Sequence, residues 1–81
     1  MKNYELTIEP DLRDCSLFND IIEDNSTVCN LLVREYSNIW TFLADDLDEA
    51  EDMLNEIDEM VDESGSGCII HTSISHKEEY S

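Results

Sequence analysis

The segment "DDLDEAEDMLNEIDEMVDE", residues 45–63, constrains this chain more than any other stretch. Leu47, Ala50, Leu54, Ile57 and Val61 recur at spacings of three, four, three and four, and Met53 and Met60 widen the stripe on one side. That period is helical, with one apolar face and a polar remainder. Asp46, followed three residues later by Glu49, reads as an N-cap with a capping-box partner. "SGSG" at 64–67 supplies a glycine stop. The polar remainder is almost entirely acid. Asp45, Asp46, Asp48, Glu49, Glu51, Asp52, Glu56, Asp58, Glu59, Asp62 and Glu63 make up eleven of nineteen residues. No base occurs between Arg34 and Lys77.

An amphipathic helix needs a surface to bury its stripe against, and the flanking sequence predicts a sheet. "NYELTIE" alternates, with Tyr4, Leu6 and Ile8 on one side and Asn3, Glu5, Thr7 and Glu9 on the other. It reads as a half-buried strand closed by Pro10 and Asp11. "TVCNLLVREY" and "IWTFLA" are rich in β-branched and aromatic residues, and Ser37-Asn38 between them predicts a hairpin. "CIIHTSIS" alternates again and reads as a closing strand. Residues 12–26 fit either a short helix N-capped by Asp14 and ending at Asn25-Ser26, or a strand and turn. Residues 77–81 read as a loose tail. The expected architecture is one α+β domain over residues 1–81: a small, mostly antiparallel sheet with one long acidic amphipathic helix packed on one face.

Charge then narrows the partners. The 81 residues carry 21 acids against 4 bases, a formal net charge of −17, while 41% of residues are apolar. The apolar share is too high for a disordered acidic tail. The charge opposes compaction by self-repulsion, so a chain this short is expected to gain from a second copy, as a homodimer. Nucleic acid and anionic membranes are excluded as partners by like charge, and a basic protein is favoured. No apolar run approaches the ~18 residues of a membrane span. "MKNYELTIEP" does not read as a signal peptide. Three cysteines without a C-x-x-C pair read as free thiols in a reducing cytoplasm.

Solubility alone does not require this much acid. Asp48 with Asp52, Asp52 with Glu56, and Asp58 with Asp62 are like-charged i,i+4 neighbours, each costing a few tenths of a kcal/mol. Asp58, Glu59, Asp62 and Glu63 also sit at the helix end that the backbone dipole makes unfavourable for anions. A solvated face ordinarily intersperses lysine. Nineteen helical residues span roughly 28 Å, so eleven charges fall about one per 2.6 Å. Duplex DNA carries one per ~1.7 Å of axis. Asp11, Asp14, Asp20, Glu23 and Asp24 would close that gap if the fold brings them alongside. The eleven acids at 45–63 are therefore the candidate partner-binding residues.

In size, charge and its acidic amphipathic helix, the chain resembles the small acidic phage proteins that mimic DNA and block host DNA-binding proteins, among them inhibitors of the bacterial nucleoid protein HU. The resemblance implies a dimer, a basic host protein as partner with HU favoured, and action in the host cytoplasm at the nucleoid. A CRISPR effector, restriction enzyme, RNA polymerase or DNA glycosylase is the alternative target. The competing reading is an acidic module that self-associates through its apolar helix face and Trp40.

Other chemistry fits poorly. An EF-hand loop starting at Asp46 would need glycine at its sixth position, which is Glu51. His71 and His76, five apart, fall on opposite faces of a strand, away from zinc-ligand register. The acyl carrier motif, a serine in "DSL" opening a helix near mid-chain, is replaced by "DCSL" at 14–17. Acids this dense mark a surface and not a catalytic pocket. No catalytic residue, cofactor or metal is expected.

Overall fold

A computed structural model describes residues 3–76. The order of elements is β1 (Tyr4–Pro10), a 3-10 turn (Leu12–Asp14), α1 (Cys15–Glu23), α2 (Ser26–Leu31), β2 (Val33–Tyr36), β3 (Ile39–Ala44), α3 (Leu47–Ser64) and β4 (Ile70–His76). The fold is α+β. The four strands form one antiparallel sheet in the order β2-β3-β1-β4. All the helices pack on one face of it. The expected tail at 77–81 lies outside the described residues.

Alternation in β1 sets the two faces. Opposite residues in an antiparallel pair point the same way. Leu6 therefore lies beside Phe42 and Ile74, and Ile8 beside Trp40 and Thr72. These apolar positions face the helices. Glu5, Thr7 and Glu9 face the open side with Leu43, Thr41 and His71. Leu6 and Ile8 are fully buried, and Phe18 of α1 meets Trp40 edge-on at 5.0 Å. Trp40 thus belongs to the core at 3% exposure, which removes it from any surface for self-association.

The ambiguous stretch is helical, and the predicted strand at 27–32 is corrected by the structure. Asn25 is extended, and its side-chain oxygen accepts the Val28 N–H at 3.2 Å, which starts a helix. Its amide donates to the Met60 sulfur at 3.7 Å and ties α2 to α3. Val28 and Leu32 are buried as a result. Local capping and tertiary burial outweigh the β preference of Thr27 and Val28. Asp14 precedes α1, but its carboxylate does not cap that helix. It accepts the Ile69 N–H at 3.1 Å and anchors the chain entering β4.

In α3 the Asp46 carboxylate accepts the Glu49 N–H at 2.8 Å, and Gly65 closes the helix in the left-handed region at φ 64°. Ala50, Met53 and Ile57 form the buried spine, with Leu54, Met60 and Val61 half-buried beside it. Leu47, expected within the stripe, is 42% exposed, because at 100° per residue it stands about 90° away from the inward direction set by Ala50, Met53 and Ile57. Asp46→Ala should lower stability by about 1 kcal/mol. In a domain of this size that is a drop of about 4–8 °C in thermal melting.

Candidate functional site

The acids of α3 wrap the half of the helix that faces away from the core. At 100° per residue, Ala50, Met53 and Ile57 define the inward direction. Glu49, Asp52, Glu56 and Glu63, at i, i+3, i+7 and i+14, run down one flank. Glu51 and Asp58 run down the other. Asp48, Glu59 and Asp62 stand on the crest. Asp45 and Asp46 precede the first turn. Ten of the eleven are exposed, and Glu49 is half-buried. The predicted set is therefore one continuous surface.

Nothing among the described residues neutralises the charge from Asp46 to Glu63. Arg13 lies 3.8 Å from Asp11. The Arg34 guanidinium sits 4.7 Å above the Trp40 ring and donates to the Ser37 carbonyl at 2.7 Å. Both arginines are thus held near their own segments.

The further acids divide. Asp24 and Glu63 flank one depression of about 260 Å³ floored by Ile21 and Met60, so the end of α1 extends the acidic surface at the C-terminal end of α3. Asp11 and Asp14 are engaged locally: Asp11 caps the 3-10 turn and Asp14 holds Ile69. They do not join the α3 face.

Sequence reasoning missed Glu35. It shares the lining of a groove of about 750 Å³ with Glu49, Asp52 and Glu56, between α2, α3 and β3. Its carboxylate also accepts from the Thr41 hydroxyl at 3.4 Å. Glu35 is fourteen residues from Glu49 and on a different element, so no local spacing exposes the grouping.

The cysteines are all free thiols. Burial, the Asp14 carboxylate and the neighbouring Cys15 push the Cys68 pKa up. The thiolate is the nucleophile. Cys68 should therefore be alkylated several-fold more slowly at pH 8 in the folded protein than in denaturing urea, as read by mass spectrometry. Equal rates would mean that strand entry at Cys68 is open.

No group of three or more His, Cys, Asp or Glu side chains is placed to hold a metal ion among the described residues. No helix there is long and apolar enough to cross a membrane. No protein-family model matches the sequence, and no curated protein matches it.

Proposed function

We propose that this protein is a DNA mimic that occupies the basic DNA-binding surface of a host protein, with the nucleoid protein HU favoured, and so excludes DNA. It is a binding protein and not an enzyme, and it acts in the bacterial cytoplasm. The observation that carries this reading is the exposed half-cylinder of α3, whose carboxylates have no cationic partner among the described residues. Such a surface binds as a phosphate backbone does, through many screened contacts, fast steered association and steep salt dependence. Self-association through Trp40 and the apolar helix face is disfavoured, because both are already spent in the core.

The protein acts as a homodimer, and charge points to the edge at which the copies meet. β4 lies at the end of the sheet, and its sequence IHTSISH has no Asp, Glu, Lys or Arg. It also lacks the lysine, proline or bulge that usually guards an edge. Antiparallel pairing of β4 with its counterpart requires a two-fold axis perpendicular to the sheet. Both α3 helices then lie on one face. α3 packs over β1 and β3. Four strand spacings of ~4.8 Å therefore separate the two helix axes, about 19 Å. With helices ~10 Å across, the facing carboxylate flanks stand roughly 9 Å apart and the crests ~19 Å. These distances bracket the ~12 Å between phosphate rows across the major groove of B-DNA.

The test is calorimetric titration into purified HU at two salt concentrations, with duplex DNA as competitor. Tight, salt-sensitive binding that DNA excludes supports the reading. Absence of binding at low salt dismisses HU, and a salt-insensitive complex removes mimicry altogether.

A further inference from the structure

The acidic groove beside α3 has a feature that duplex DNA lacks. Its lining is partly apolar: Val33 and Leu43 border it from the open side of the sheet and Val28, Leu31 and Met53 from the helix side, with Glu49, Asp52 and Glu56 on α3 and Glu35 on β2. Leu31, Val33 and Leu43 are 49%, 57% and 45% exposed. Phosphate mimicry does not require exposed leucine and valine beside the carboxylates.

The backbone at this place is also open. β2 pairs with β3 only from Val33↔Thr41 to Tyr36↔Ile39. Before Val33 the chain belongs to α2 and has turned away from the sheet. Phe42, Leu43 and Ala44 pair with β1 on one side and have no β2 partner on the other. Phe42 and Leu43 both line the groove. A short length of strand edge therefore opens into a partly apolar trough bordered by carboxylates.

We propose that this groove is a docking site for an extended segment of the protein partner, one that alternates large apolar residues with lysine or arginine and adds as a short strand at Phe42–Ala44. The inference rests on the mimic reading above and deepens it. Charge complementarity selects the class of occupant. Four carboxylates around the trough repel an acidic segment and attract a basic one. The apolar lining gains only from side chains that leave water, and the strand edge gains only from an extended backbone. A second copy of this chain suits the groove poorly, because it would bring its own net charge of −17 to the rim. In the proposed complex the acidic helix face supplies the long-range, salt-dependent attraction. The groove supplies an anchor that salt does not screen.

The experiment uses the full chain and two seven-residue peptides of equal charge, one alternating lysine with valine and the other lysine with serine. The valine peptide should bind about 10-fold or more tightly than the serine peptide, as expected for burying even one such side chain. It should also slow amide hydrogen exchange at Leu43, whose backbone faces the open edge, while Ala44 is turned toward β1. The Val33→Thr/Leu43→Thr double variant keeps β-branched residues on the strands, and it should remove that preference while still binding the serine peptide. Equal binding of the two peptides overturns the groove and leaves mimicry standing. Failure of both peptides to bind at low salt overturns the electrostatic reading as well. Protection of Leu43 that rises with protein concentration, without peptide, assigns the groove to a second copy and overturns the proposal.

Discussion

Replacing Asp52, Glu56 and Glu59 together by lysine is expected to abolish binding to the basic partner and to raise the melting temperature. Each reversal adds two charges, so the net charge moves from −17 to −11. At the partner's surface each site loses an attraction and gains a repulsion. A contact at ~4 Å in high dielectric is worth about 1 kcal/mol, so three reversals cost roughly 3–6 kcal/mol, or on the order of 10²–10⁴ in affinity. Within α3 the sign is opposite. Asp48 with Asp52, Glu49 with Asp52, Glu59 with Asp62, and Glu59 with Glu63 change from like to opposite pairs. Asp52 with Glu56 and Glu56 with Glu59 stay alike. At a few tenths of a kcal/mol per pair, the helix gains about 1–2 kcal/mol. All three side chains are exposed, so no core contact is disturbed. Thermal melting and calorimetry on the same variant separate the two effects. Undiminished binding would show that the acids only maintain solubility. Lost binding with a lowered melting temperature would show that the face also has a structural role.

Features written in local chemistry were legible in the sequence. Period-two alternation set the faces of β1. Ser37-Asn38 set the hairpin, Asp46 the start of α3 and Gly65 its end. These depend on residues within one turn or one strand. The misreadings came where distant contacts decide. Thr27 and Val28 favour a strand, but Asn25 caps a helix there and reaches Met60, thirty-five residues away. Asp14 had the right position for a cap, yet Ile69, fifty-five residues on, takes its carboxylate. Trp40 looked available for an interface until Phe18 packed against it. The candidate face was fully legible, because helical periodicity alone places its acids. The groove was not, because Glu35, Leu43 and Asp52 meet only once β2, β3 and α3 are assembled.

Ile57→Ala is expected to leave the protein largely unfolded at low salt and to let it refold when salt is added. Ile57 is fully buried at the centre of the α3 spine, and the truncation should cost about 2–5 kcal/mol in transfer and cavity terms. A domain this small has a net stability toward the lower end of ~5–15 kcal/mol, and self-repulsion at −17 reduces it further. That repulsion is screenable. The Debye length falls from ~30 Å at 0.01 M salt to ~3 Å at 1 M, shorter than the separation of most carboxylates around α3. Circular dichroism against sodium chloride should therefore show the variant regaining helix between these limits, and the unmodified protein melting at higher temperature along the same series. Failure of salt to raise either melting curve would mean that the acidic face does not strain the fold. Partner binding should move the other way, weakening as salt rises, because the unscreened field that opposes folding is the field that attracts a basic surface. A chain selected only for solubility would relieve that conflict with a few lysines on α3. The absence of any base between Arg34 and Lys77 keeps the field at full strength at neutral pH, and a bound basic partner lowers the repulsion without salt. Bound partner should accordingly protect Ile57→Ala at low salt, by mass action on the folded state.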